Sequence, residues 1–292
     1  MLLLIDADIL VFRAGMMAER QVWFLSVGGA EPEQFVYKKE ALERLDELLP
    51  GIRSRVEGED YQMWQERFCE PLENALQIVK TMVQNIKNKL DVTDFDIKMC
   101  MSDPKGNFRH RVAKTTPYKG NRDANHRPTH EEAIRTYIRS KWDTAVGADE
   151  EADDLMGYLQ NQYDTCIVTI DKDLDMIPGW HYNFVKDDHY FVDEAAAMNH
   201  FYKQLLTGDT SDNIPGLKGV GPKTALKMLD GQNLVEQWES VVAAYMSKGG
   251  ENWEDYLKEQ GQLLWIRRKN GEMWEPDLTP VPNDEQIEVS MY

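Results

Sequence analysis

The sequence predicts an α/β protein with a mainly parallel central sheet flanked by helices. Short apolar runs at 2–5, 95–101 and 165–170 have the length of buried strands, and segments of helical spacing lie between them. Aspartates follow each run at once: Asp6 and Asp8, then Asp103, then Asp171, Asp173 and Asp175. The carboxyl ends of parallel strands are where ligand crevices open in such sheets.

Taken in order, the first strand is 2–5, where Asp6 by itself needs no more than a turn. Residues 17–72 mix Trp23, Phe24, Gly28, Gly29 and Pro32 with acidic helical pieces, and are expected to form an irregular helical insertion without an assigned function. Over 73–90, Leu76, Val79, Val83, Ile86 and Leu90 recur near helical spacing, which predicts a helix packed on the sheet. The second strand, 95–101, runs into Asp103. Next comes a basic island. Residues 105–127 carry seven Lys or Arg, Arg109 among them, against the single acid Asp123. Phe108 and Tyr118 interleave with these charges, a composition suited to tracking one nucleic-acid strand, although a solvated loop explains most basic runs.

A helix over 130–142 precedes another that begins at Glu151, with Leu155, Met156 and Leu159 inward. Glu151, Asp153 and Asp154 in its first turn suit the helix dipole without any ligand. Glu151 and Asp154 nevertheless share one face. Segments 181–185 and 189–192, joined by Lys186, Asp187 and Asp188, predict a hairpin, and 194–206 a helix. Residues 205–229 contain Asp209 and Asp212. They also fit a helix-hairpin-helix pattern through Ile214, Leu217, Gly219, Val220, Gly221, Ala225, Met228 and Leu229. The glycines let backbone amides approach a phosphate, Pro222 opens the second helix, and Lys218, Lys223 and Lys227 add charge. Beyond 234 the chain is expected to be helical and acidic, closing in a Pro-rich tail over 275–289.

Composition narrows the function. The net charge of −18 argues against nucleic acid until one notes that a cation site concentrates carboxylates. No stretch is apolar enough to span a membrane, and the start of the chain lacks a basic leader, so a soluble, cytoplasmic protein is expected. Cys69, Cys100 and Cys166 are odd in number and scattered, giving no zinc or disulfide pattern. The DxDxD at 171–175 is not a calcium hand, because Met176 and Tyr182 stand where that loop needs Gly and Glu. No GxGxxG follows a strand, which excludes a dinucleotide site. Collected, Asp6, Asp103, Glu151, Asp153, Asp154, Asp171, Asp173, Asp209 and Asp212 form a hard oxygen set suited to Mg²⁺ or Mn²⁺. Two such ions can drive phosphodiester hydrolysis. The residues therefore point to a metal-dependent nuclease. A PIN-like ribonuclease and a non-catalytic DNA-structure binding module are the alternatives.

The blocks IDAD (5–8), SD (102–103), FR (108–109), YKGNR (118–122), EADD (151–154), DKD (171–173) and GDTSDNIPGLKGVGPKTA (208–225) occur in the order found in the 5′ nucleases. The sequence thus resembles the flap endonucleases and 5′-3′ exonucleases, including the phage enzymes and the 5′ nuclease domain of bacterial DNA polymerase I. The match covers 1–13 and about 95–230, and omits 17–72. The resemblance implies a PIN-like core over 1–206, with the insertion at 17–72 and a helical arch at about 104–130, and a helix-hairpin-helix and C-terminal helical region over 207–292. It implies that Asp6, Asp103, Glu151 and Asp153 hold a first metal, that Asp171, Asp173, Asp209 and Asp212 hold a second, and that Asp154 lies near both. Lys119 and Arg122 would contact the scissile phosphate, with Tyr118 stacking on a base. Arg109 would bind DNA, and Lys218, Gly219, Gly221, Lys223 and Thr224 would grip duplex, with K⁺ at the hairpin. Asp8 and Asp175 would be outer or structural acids. A monomer is expected, phage-encoded and acting in a host cytoplasm, with DNA or an RNA–DNA hybrid as substrate.

Overall fold

In the computed structural model the described residues are 1–50, 60–122, 127–160 and 164–279. Most of the expected tail and part of the expected arch lie outside them. Along the chain run β1 (Leu2–Asp6), α1 (Ala7–Met17), β2 (Glu19–Val27), β3 (Glu33–Phe35), α2 (Lys38–Leu48), β4 (Tyr61–Cys69) and α3 (Leu72–Leu90). There follow β5 (Ile97–Met101), α4 (Arg109–Val112), α5 (Glu131–Lys141), β6 (Thr144–Val146), α6 (Ala152–Leu159), β7 (Thr165–Val168), β8 (Gly179–Asn183) and β9 (Asp188–Val192). The helices α7 (Glu194–Thr207), α8 (Pro222–Leu229), α9 (Leu234–Lys248) and α10 (Trp253–Leu264) complete the set.

The chain divides into two compact units. The described residues of the first are 1–8, 93–122, 142–160 and 164–279. Its sheet has the order β6-β5-β1-β7-β8-β9, parallel throughout except for β9, which pairs antiparallel with β8 as the predicted hairpin. Leu3 lies opposite Ile97 on one side and Cys166 on the other, so β1 is central. Leu3, Leu4 and Ile5 are fully buried, which explains why the strand reads as an unbroken apolar run. Ile167, Phe201 and Leu205 share a core with Ile214, Leu217, Tyr245 and Leu257, so helices α7 to α10 close on one another. The boundary expected after residue 206 falls inside this unit.

The second unit has as described residues 9–50, 60–92 and 127–141. Here the expectation of an irregular helical insertion is corrected. The described residues among 19–69 contain a three-stranded antiparallel sheet, β3-β2-β4, and the helix α2. Strand β2 places Trp23, Leu25 and Val27 on one face and Phe24 on the other, and Leu25 packs on Leu45 of α2. Aromatic and β-branched residues favour such a pleated surface. Gly28 and Gly29, with φ of 60° and 77°, end the strand in a turn that side chains would resist. The predicted helix over 73–90 is present as α3; Val79, Val83 and Ile86 are buried, and it packs with α5.

Candidate metal centre and nucleic-acid interface

In the first unit the acids are delivered by strand ends and helix starts. Asp6 ends β1, is 3 % exposed, and accepts from the Thr169 hydroxyl at 3.1 Å. Glu151 is the residue before α6, and Asp153 lies in its first turn. Asp171 follows β7 and accepts from the Asp173 amide at 3.0 Å. Asp209 and Asp212 sit on a loop pinched shut where Asp209 and Ile214 exchange backbone hydrogen bonds of 2.8 and 2.7 Å. Glu151, Asp153, Asp173, Asp209 and Asp212 line one cleft beside Tyr118.

The loop of acids does not stand alone, because residues 116–122 are laced to it. The Thr116 hydroxyl donates to Asn213 O (2.8 Å), the Lys119 amide to Asp212 O (2.9 Å) and the Asn121 side chain to Thr210 O (2.7 Å). The Arg122 guanidinium meets Asp212 at 2.5 Å, and Asn213 returns a bond to Pro117 O at 2.8 Å. Lys119 adopts φ of 54°, an uncommon conformation for a non-glycine residue, and its ammonium reaches Glu151 at 2.5 Å and Asp212 at 3.6 Å. The two most specific sequence blocks are therefore partners in space.

Electrostatics follow from this packing. Burial first, then Asp6, Asp171 and Glu151, push the Asp153 carboxyl well above its ordinary range. Burial and the neighbouring Asp173, Asp212 and Asp209 raise Asp171, and burial raises Asp209. Burial disfavours the Glu151 anion, but Lys119 and Arg109 outweigh it and hold its carboxyl low. Burial likewise opposes the charge of Lys119, which Glu151 and Asp212 restore. Like charges crowded in a poorly solvated cleft are what a cation relieves. Among the described residues no three His, Cys, Asp or Glu side chains are arranged to hold a metal ion; the Lys119 ammonium lies between Glu151 and Asp212. In kind the donors fit a hard divalent ion, being oxygen throughout.

Several expected roles are corrected. Asp154 is fully buried, and both its oxygens are committed elsewhere. They accept from the Arg109 guanidinium at 2.6 and 2.9 Å, from the Arg267 amide at 3.1 Å and from the Glu151 amide at 3.1 Å. It is a buried counter-ion and helix cap. Arg109 cannot reach DNA, since it is 3 % exposed and its remaining donors go to the carbonyls of Leu263 and Trp265. Tyr118 is 4 % exposed, too buried for its ring to stack on a base. Its hydroxyl lies 2.8 Å from Glu151 and 2.7 Å from Asp212. Asp103 is not among the residues lining the cleft, and its oxygens accept the amides of Lys105 and Asp149 at 2.9 and 2.8 Å. Asp8 holds the Ser102 amide and Asp175 the Tyr190 hydroxyl, both structural contacts.

Sequence reasoning missed supports from outside the blocks. Gln204 donates to Asp173 at 2.7 Å, with His200 one turn earlier on α7 at 3.9 Å, and Asn107 donates to Glu151 at 2.9 Å. The four-residue spacing of His200 and Gln204 was the available signal. At the hairpin, Ile214, Leu217, Val220, Ala225 and Leu229 are buried, while Lys218, Gly219, Gly221, Lys223 and Thr224 are exposed around the start of α8. Gly221 caps that helix and Pro222 opens it.

No family model matches the chain. DNA polymerase I of Deinococcus radiodurans is 33% identical over 114 residues, 34% of this chain and 12% of that protein. DNA polymerase I of Bacillus caldotenax is 26% identical over 211 residues, 64% of this chain and 22% of that protein. The thermostable DNA polymerase I of Thermus aquaticus is 34% identical over 107 residues, 32% of this chain and 12% of that protein. The chain thus spans between about an eighth and a fifth of the relatives it matches. Among solved structures, T5 5′-exonuclease with zinc bound gives a TM-score of 0.47 at 17% identity, over 65% of this chain and 80% of that one. The chain is thus similar in sequence to part of DNA polymerase I from several bacteria, in keeping with the resemblance carried by its sequence blocks.

Proposed function

We propose that the protein is a metal-dependent 5′-3′ exonuclease and flap endonuclease that hydrolyses DNA phosphodiesters. The observation that carries the reading is the lacing of residues 116–122 onto the loop of Asp209 and Asp212, which sets Lys119 and Arg122 beside Glu151 and Asp212. Cations held against a carboxylate-lined cleft suit a substrate that arrives as an anion with divalent ions.

Asp6, Glu151, Asp153, Asp171, Asp173, Asp209 and Asp212 are the residues that would hold Mg²⁺, with Mn²⁺ as a substitute. The chemistry a hard divalent ion supplies in such a setting is Lewis acidity toward a phosphodiester and its attacking water. The chain's own part is positional and electrostatic. Lys119, kept protonated by Glu151 and Asp212, would neutralise charge on the scissile phosphate, and Arg122 would donate in a fork to its free oxygens. Tyr118 orients Glu151 and Asp212 through its hydroxyl. The amides of Gly219 and Gly221 with Lys218, Lys223 and Thr224 would hold a backbone phosphate away from the cleft, where K⁺ would add positive charge toward the phosphate. The working division is a nuclease core over 1–206 and a DNA-gripping region over 207–292, acting as a cytoplasmic monomer.

The test is cleavage of duplex, nicked, 5′-flap and single-stranded DNA labelled at each end, with Mg²⁺ or with EDTA. Metal-dependent products released from the 5′ end support the function, and their lengths separate exonuclease from flap cutting. Binding without cleavage in Mg²⁺ or Mn²⁺ overturns it in favour of a binding module. Cleavage confined to RNA favours a PIN-like ribonuclease.

A further inference from the structure

Helix α10 lies beyond the sequence blocks, yet it touches both halves of the proposed site. Tyr256, Glu259, Gln260 and Leu263 fall three and four residues apart and share one face. The Glu259 carboxylate, 8 % exposed, accepts the amides of Lys114 and Thr115 at 2.6 and 2.7 Å and the Thr115 hydroxyl at 2.7 Å. This segment leads directly into Tyr118, Lys119 and Arg122. One residue on, the fully buried Gln260 accepts the Gly216 amide at 3.0 Å, and the Tyr256 hydroxyl donates to Gly216 O at 2.5 Å. Gly216 closes the loop that bears Asp209 and Asp212: its φ is 60°, and a Cβ there would lie 2.1 Å from the Gly208 nitrogen. The same helix end supplies the Leu263 and Trp265 carbonyls that hold Arg109.

We propose that Tyr256, Glu259 and Gln260 are positioning residues: one face of α10 fixes the segment bearing Lys119 and Arg122 in register with the loop bearing Asp209 and Asp212. Burying a carboxylate is a costly way to stabilise a fold, and an apolar side chain would fill the space at less cost. Glu259 instead turns both its oxygens to two consecutive backbone amides and a hydroxyl, which specifies where that segment sits. The positioning role rests on the nuclease reading; the contacts do not.

The experiment compares wild type with E259Q and E259A, and with E254Q on the exposed side of α10 as control, by steady-state cleavage of a 5′-flap DNA and by amide exchange. The expected result is a kcat lower by on the order of 10²-fold in E259A, the loss that a small misplacement of reacting groups causes, with KM within about threefold. E259Q is intermediate and E254Q matches wild type. Exchange at Lys114 and Thr115 is accelerated in E259A while α6, α7 and the central sheet keep their protection. A wild-type kcat in E259A, a rise in KM at unchanged kcat, or accelerated exchange across the sheet each overturns the proposal. Wild-type protein that cleaves no DNA overturns the nuclease reading and is recognised without any variant; exchange at Lys114 and Thr115 then still decides whether Glu259 holds that segment.

Discussion

At residue scale, Asp153 and Asp154 are adjacent in sequence and opposite in duty. Asp153 faces the other acids in the cleft, and Asp154 faces away into Arg109. Asp153→Asn and Asp171→Asn are therefore expected to abolish cleavage while DNA binding survives, which gel assays and binding titrations check side by side. Lys119→Ala is expected to slow cleavage by about 10²- to 10³-fold with modest change in affinity. Arg109→Ala is expected to cost about 3–5 kcal/mol of folding stability, since it strands a buried carboxylate; a urea melt measures it. Burial raises the Asp154 carboxyl, but Arg109 outweighs it and the net shift is downward. The sign follows: this contribution is present above the ordinary aspartate value of 3.8 and is lost as pH falls through the depressed one. An Asp154→Asn variant should flatten the acid limb of the stability profile. Both residues looked like candidate ligands because a run of acids at a helix start does not record which way each side chain turns. The face shared by Glu151 and Asp154 proved to be a capping arrangement.

At element scale, legibility followed pattern length. Strand β1 announced itself because Leu3, Leu4 and Ile5 are buried on both faces, leaving no polar residue to break that run. The segment before α8 stood out in the sequence because its glycine, proline and apolar positions are constrained at once. The sheet of β2, β3 and β4 was obscured because β4, YQMWQERFC, is largely exposed and reads as polar. Helix α10 had no readable role, since its hydrogen bonds reach residues far away in the chain. For the hairpin, Lys218→Ala and Lys223→Ala are expected to weaken DNA binding similarly across sequences. Each should lower the salt dependence of binding by about one counter-ion, as read from log–log plots of affinity against salt.

At the scale of the whole molecule, if the carboxylate-lined cleft takes up Mg²⁺ as proposed, the protein should gain stability from the ion. Mg²⁺ at about a hundredfold excess over its Kd is expected to add about 2.7 kcal/mol, seen as a higher Tm that EDTA reverses. Asp153→Asn should blunt that rise. The order of the chain adds a consequence for folding kinetics. Strand β1 lies between β5 and β7, yet all of the second unit except residues 127–141 is encoded before β5 appears. Leu3 must wait for Ile97 and then Cys166 before both of its edges are satisfied. Such non-local pairing implies slow folding and a long interval in which LLLI stands open to neighbouring chains during synthesis. A nascent chain arrested before β7 should bind chaperones and aggregate; one extended past α10 should not.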